Sequence, residues 1–301
     1  MEQSQIPNIL LLGNGINRCF DNGISWDKLL SELSDNKYKE DDIKNIGIPA
    51  ALKAMLVTGG KTEEAIKNHA GSLSNILADE QSRMINSIFE IGFDEVLTTN
   101  YTYELEAAAL GVDSIGFGTV KKLMDHTDEI NKAEGKYLLR TYNKVPTGRI
   151  WHIHGELRKP VSMILDHYKY VGLICKIKEL SDKRGSSYTN DDFVCRSWVD
   201  SFILGNVYVL GFGFDFSEID LWWLLERKKR EKSSHGKVLY YAVDTGENLK
   251  NDTPKFELLR NLGVEPIPLP VNDSKNKSEW KERYCEAVSK MKSSLIKEIN
   301  V

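Results

Sequence analysis

The chain has 301 residues, 41% of them hydrophobic and 28% charged, with a formal net charge of −4. These are ordinary values for a soluble globular protein with a sizeable core, and the mild negative charge removes the electrostatic ground for nucleic-acid or membrane binding. Cys19, Cys175, Cys195 and Cys285 lie far apart with no CxxC pair, so reduced and mostly buried cysteines in a cytoplasmic protein are expected, without a zinc ribbon.

The N-terminal stretch "MEQSQIPNILLLG" has no basic leader, and its apolar run is too short for a signal peptide. "NILLLG" (8–13) reads as a strand buried on both faces that runs straight into the turn "GNGIN". Gly13 and Gly15 let main-chain N–H groups approach a phosphate. The third glycine of the usual dinucleotide fingerprint would fall at Arg18, so a tight strand–loop junction explains the turn equally well. Residues 31–92 are rich in lysine and serine with helical spacing, as in "EEAIKNHA" and "SNILADEQSRMINSIFEIGF". They are expected to form a helical insertion between the first two core strands.

"DEVLTT" (94–99) is the next buried strand, followed by Asn100. An asparagine there either presents its amide to a cleft or caps a helix starting near Tyr103. "RIWHIHG" (149–155) puts His152 and His154 two positions apart, on one face if the strand continues. A metal would need further ligands nearby, and packing accounts for one ring more easily than two. A histidine at the cleft end of a core strand titrates near neutral pH and suits general-base work.

Residues 166–204 are helical around the polar loop "SDKRGSSYTNDD" (181–192), which is expected to be mobile. "VYVLGFG" (207–213) supplies a second strand and glycine turn, with Asp215 and Ser217 as caps for a helix carrying Trp222 and Trp223. Those tryptophans fit core or oligomer contacts, and "ERKKREK" fits the solvated end of that helix. Strands "KVLYYAV" (237–243) and "VEPIPLP" (264–270) follow. A final amphipathic helix over about 277–298 carries Trp280, Tyr284, Val288, Met291 and Leu295 on one face.

Together these elements predict one α/β domain over 1–301 with a Rossmann-like, mostly parallel sheet, helices on both faces and helical insertions. Its core covers about 6–30, 93–118, 147–166 and 205–270, with insertions at about 31–92 and 166–204. Ligands of such sheets bind at the carboxyl edge.

In this order, "GNGIN", "TTNYT", "HIHG" and "GFGFD", with "ISWDKLL" (24–30) after the first turn, resemble the sirtuin-like (Sir2) superfamily and its branch in bacterial antiphage defence. The resemblance spans about residues 8–270. It implies Asn100 and His154 as catalytic residues. It also implies that Gly13, Asn14, Gly15, Asn17 and Thr99 bind the phosphates and ribose of NAD+, and Gly211, Gly213 and Phe214 the adenosine half. Thr102 departs from the aspartate frequent in the family, and His152 would be a same-face neighbour of His154 lining the pocket. The four-cysteine zinc module of the family's deacylases is missing, so the resemblance implies metal-free NAD+ hydrolysis. Protein deacylation, or a non-catalytic NAD- or ADP-ribose-binding subunit, is the alternative. It further implies a homo-oligomer, or control by a separate partner such as a HerA-like ATPase or an Argonaute.

Overall fold

Long apolar runs with few charges are stable as strands only where both faces are covered, and here they are. A computed structural model describes residues 6–20, 25–69, 77–126, 137–185, 188, 194–232 and 236–299. Its strands are β1 (Asn8–Leu12), β2 (Glu95–Thr98), β3 (Met124–His126), β4 (Thr141–Val145), β5 (Gly148–His152), β6 (Asn206–Leu210), β7 (Val238–Thr245) and β8 (Val264–Val271). They form an eight-stranded sheet in the order β3-β4-β5-β2-β1-β6-β7-β8. From β5 to β8 every pair is parallel, while β3 and β4 add an antiparallel edge. The fold is α/β and Rossmann-like.

Each face has its own helical cover. Ile9, Leu11, Leu97, Trp151, Val207 and Val209 pack against the helices His167–Arg184, Trp198–Leu204 and Ile219–Arg230. Leu10, Leu12, Val96, Ile150, Tyr208 and Leu210 pack against the helices Asp79–Phe89, Glu104–Leu110 and Lys277–Ile299. The last of these buries Tyr284, Val288, Met291 and Leu295, the stripe the sequence predicts. At the other edge, Pro266, Pro268 and Pro270 leave β8 short of N–H donors for another strand.

Several boundaries differ from the sequence expectations. The stretch 166–204 is not an insertion: its helices are one covering layer of the sheet. Of 31–92, Asp79–Phe89 belongs to the opposite layer, and the shorter helices from Trp26 to His69 carry a separate apolar cluster (Leu30, Ile43, Ala54, Ile66). That cluster includes Tyr103, Leu157 and Met163, so these helices cap the carboxyl edge of the sheet. The helix predicted to stop before 181 runs to Arg184, and most of the loop 181–192 lies outside the described residues. Of the cysteines, Cys19 alone is buried. No helix among the described residues is long and apolar enough to cross a membrane.

Candidate functional site

The first strand, β1, sits between β2 and β6, so the chain leaves it in opposite directions at its carboxyl end. A crevice opens at such a switch point. It is a cleft of about 380 Å³, lined by Asn14, Gly15, Arg18, Thr99, Asn100 and His154 and by the second glycine turn through Gly211 and Gly213. Trp26 and Leu29 of the cap close it from above.

The two glycine turns interlock. Gly13 N–H donates to the Leu210 carbonyl at 2.9 Å and Gly15 N–H to the Gly211 carbonyl at 2.7 Å. A Cβ on Gly13 would fall 2.8 Å from the Phe212 Cα, a separation only glycine permits. These two amides tie the first glycine turn to the second, and Gly15 lines the cleft. Gly13, Asn17 and Phe214 do not line the cleft. Asn17 stands behind Asn14, donating to its Oδ1 at 3.1 Å and accepting from Gln81 at 2.9 Å. Phe214 is buried in the core against Tyr240 and Trp222. Arg18 is the charged group of the turn that faces the cleft.

Asn100 is not a helix cap. The helix Glu104–Leu110 begins from Tyr103 without a side-chain cap. Instead, Thr98 Oγ donates to the Leu12 carbonyl at 3.0 Å and accepts from Asn100 N–H at 3.1 Å, tying the ends of β1 and β2 together. The next residue is fixed too: Tyr101 Oη donates to the Ile164 carbonyl at 2.7 Å, and its own carbonyl accepts from Leu157 N–H at 3.0 Å.

The histidines part company. Strand β5 ends at His152 and a turn follows, closed by Gly155 N–H to the His152 carbonyl. Gly155 has φ +93°, and the Ser162–Met163 main chain packs where a Cβ would stand. The turn swings His154 to the other side of the sheet, so the expectation of two same-face rings is wrong. His154 lines the cleft edge-on to Tyr170, with Nε2 3.0 Å from Oδ2 of the fully buried Asp220. His152 does not line that cleft. It points into the opposite layer, with Nδ1 2.7 Å from the Asn100 carbonyl oxygen and Nε2 2.8 Å from Glu106 Oε1. Burial pushes its pKa down, but the charge and hydrogen bond of Glu106 outweigh this and raise it to about 9.

Asp220 is the residue sequence reasoning missed. It lies 66 residues from His154, and only its place shortly after the second glycine turn hinted at the cleft. Asp215 and Ser217 pair with each other rather than capping its helix, whose N-terminal residue Glu218 makes no cap bond. Glu218 lines the cleft, and burial next to Asp220 and Asp215 holds its carboxyl well above the usual range. Thr102 lines the cleft as well, so the carboxylate near the histidine comes from Asp220 and not from that position.

Chemically, the cleft offers the carboxamides of Asn14 and Asn100, an imidazole beside a carboxylate, and one guanidinium. With Nε2–H directed at Asp220, Nδ1 is the nitrogen left to accept a proton. No group of three or more His, Cys, Asp or Glu side chains suited to a metal occurs among the described residues. Comparison with protein-family models and with curated proteins finds no match.

Proposed function

We propose that the chain is an NAD+ glycohydrolase that releases nicotinamide and ADP-ribose. The observation that carries this is the meeting of Asn100 and an Asp220-backed His154 in one cleft beside interlocked glycine turns. The resemblance of "GNGIN", "TTNYT", "HIHG" and "GFGFD" to sirtuin-like proteins supports the choice of dinucleotide.

In this reading Arg18 and Asn14 receive the diphosphate, and the ribose lies toward Thr99 and Asn100. The bond between ribose C1′ and the nicotinamide nitrogen breaks, its electron pair leaving with neutral nicotinamide. Positive charge builds on the sugar, and the Asn100 carboxamide oxygen faces it as a dipole already in place. Water attacks C1′ and gives a proton to His154 Nδ1, while Asp220 stabilises the imidazolium that forms.

The same resemblance supports a cytoplasmic role in NAD+ depletion during phage infection, restrained by oligomeric assembly or a separately encoded partner. Chromatography of the products formed from NAD+ tests the reaction. Nicotinamide and ADP-ribose in equal amounts are expected. Nicotinamide released only with an acylated peptide would make the chain a deacylase, and tight NAD+ binding without turnover would make it a binding subunit.

A further inference from the structure

His152 has no surface on the cleft, yet both of its ring nitrogens are engaged. A carbonyl oxygen only accepts, so the 2.7 Å contact with Asn100 requires a proton on Nδ1. At the other nitrogen, Nε2 stands 2.8 Å from Glu106 Oε1, which also accepts from Asn143 Nδ2 at 2.8 Å. The ring lies between two oxygens, with side-chain exposures of 5% for His152 and 0% for Glu106, and the raised pKa keeps it protonated near neutral pH. Burying such a pair strips both groups of water before its attraction is counted, and apolar side chains of similar volume fill space without that penalty. Packing alone does not explain it.

What the pair does reach is Asn100. That residue's N–H is held by Thr98 Oγ and its C=O by His152 Nδ1, so both main-chain groups flanking the carboxamide are pinned. We propose that His152 is a positioning residue, which, braced by Glu106, clamps the main chain of Asn100 so that its carboxamide stands in the cleft. The reason the cleft needs that carboxamide rests on the reaction proposed above.

The test uses the full chain. His152→Phe fills the ring's volume without a donor, and is made alone and with Glu106→Gln so that no unpaired carboxylate stays buried. His152→Asn restores a donor. Both nicotinamide release and the side-chain NH2 resonances of Asn100, assigned by their loss in Asn100→Ala, are followed. We expect His152→Phe to lower kcat about tenfold with KM within about twofold, and to move the Asn100 resonances. His152→Asn regains most of the rate, and in an Asn100→Ala background His152→Phe costs nothing more, as coupled residues require. Independent, multiplicative losses in the double variant, or unmoved Asn100 resonances, overturn the proposal. If the wild type releases no nicotinamide, the proposed reaction falls, and the resonances alone decide: displaced, they uphold the clamp; unmoved, they refute it.

Discussion

Asn100, His154 and Asp220 come from three different elements, and each has a separable job in the proposed chemistry. Asn100→Ala and His154→Ala are each expected to lower nicotinamide release roughly 10²-fold, the scale of losing one positioned group. Asp220→Asn keeps the volume but removes the negative charge facing Nε2 and can turn an NH2 toward it, so a loss of about tenfold or more in kcat follows. Arg18→Ala acts differently: it raises KM about tenfold at near-constant kcat, because a diphosphate contact is alike in ground and transition states. His152 supplies a pH signature. Its folded pKa of about 9 lies above the roughly 6.5 of an unfolded histidine, raised by Glu106 with Glu156 adding to it. The stabilisation is complete below about pH 6.5 and is lost as pH rises through about 9. Urea unfolding of wild type and His152→Asn across that range should show the gap shrinking, and a constant gap would contradict the charge pair. At this scale the sequence is a partial guide. The strand-end positions of Asn100 and His154 mark them, since a polar residue there has a cleft to face. The Asp220 contact spans 66 residues, and no local pattern encodes it.

Elements are legible where one physical constraint dominates. Strands β1, β2, β6 and β7 read directly because burial confines charge to their ends, at Glu95 in β2 and Asp244 in β7. The hairpin partner β4 does not, since "TYNKV" on an antiparallel flank mixes buried and exposed side chains over five residues. Strand β5 misleads in another way: alternation continued past His152 puts both rings on one face, whereas the turn at Gly155 ends it. That turn is itself testable. Gly155 combines φ +93° with the Ser162–Met163 main chain packed where a side chain would begin. Gly155→Ala should therefore cost about 2 kcal/mol or more in urea unfolding. An effect under about 0.5 kcal/mol would mean that the Ser162–Met163 main chain yields easily.

The carboxyl edge of the sheet holds the cleft and its helical cap, so any contact between subunits is expected on the other helices. The tryptophan pair is less available for this than the sequence suggests. Trp222 donates to the Asp215 carbonyl at 3.0 Å and stacks on Phe216 within the chain. Phe216, 64% exposed, and Leu56, 48% exposed, are among the apolar groups left facing outward. We still expect an oligomer, and light scattering after size exclusion should give a multiple of 34.2 kDa. A monomer at micromolar concentration would count against self-assembly as the means of restraint.

If the proposed function holds, NAD+ binds with its ribose C1′ between Asn100 and His154. The crystal structure of the His154→Ala protein soaked in NAD+ examines it without depending on any activator. Intact NAD+ is expected with C1′ beside the Asn100 carboxamide and the diphosphate against Asn14 and Arg18. A cleft with no dinucleotide at millimolar NAD+, or one with the nicotinamide ribose turned away from Asn100, would contradict it.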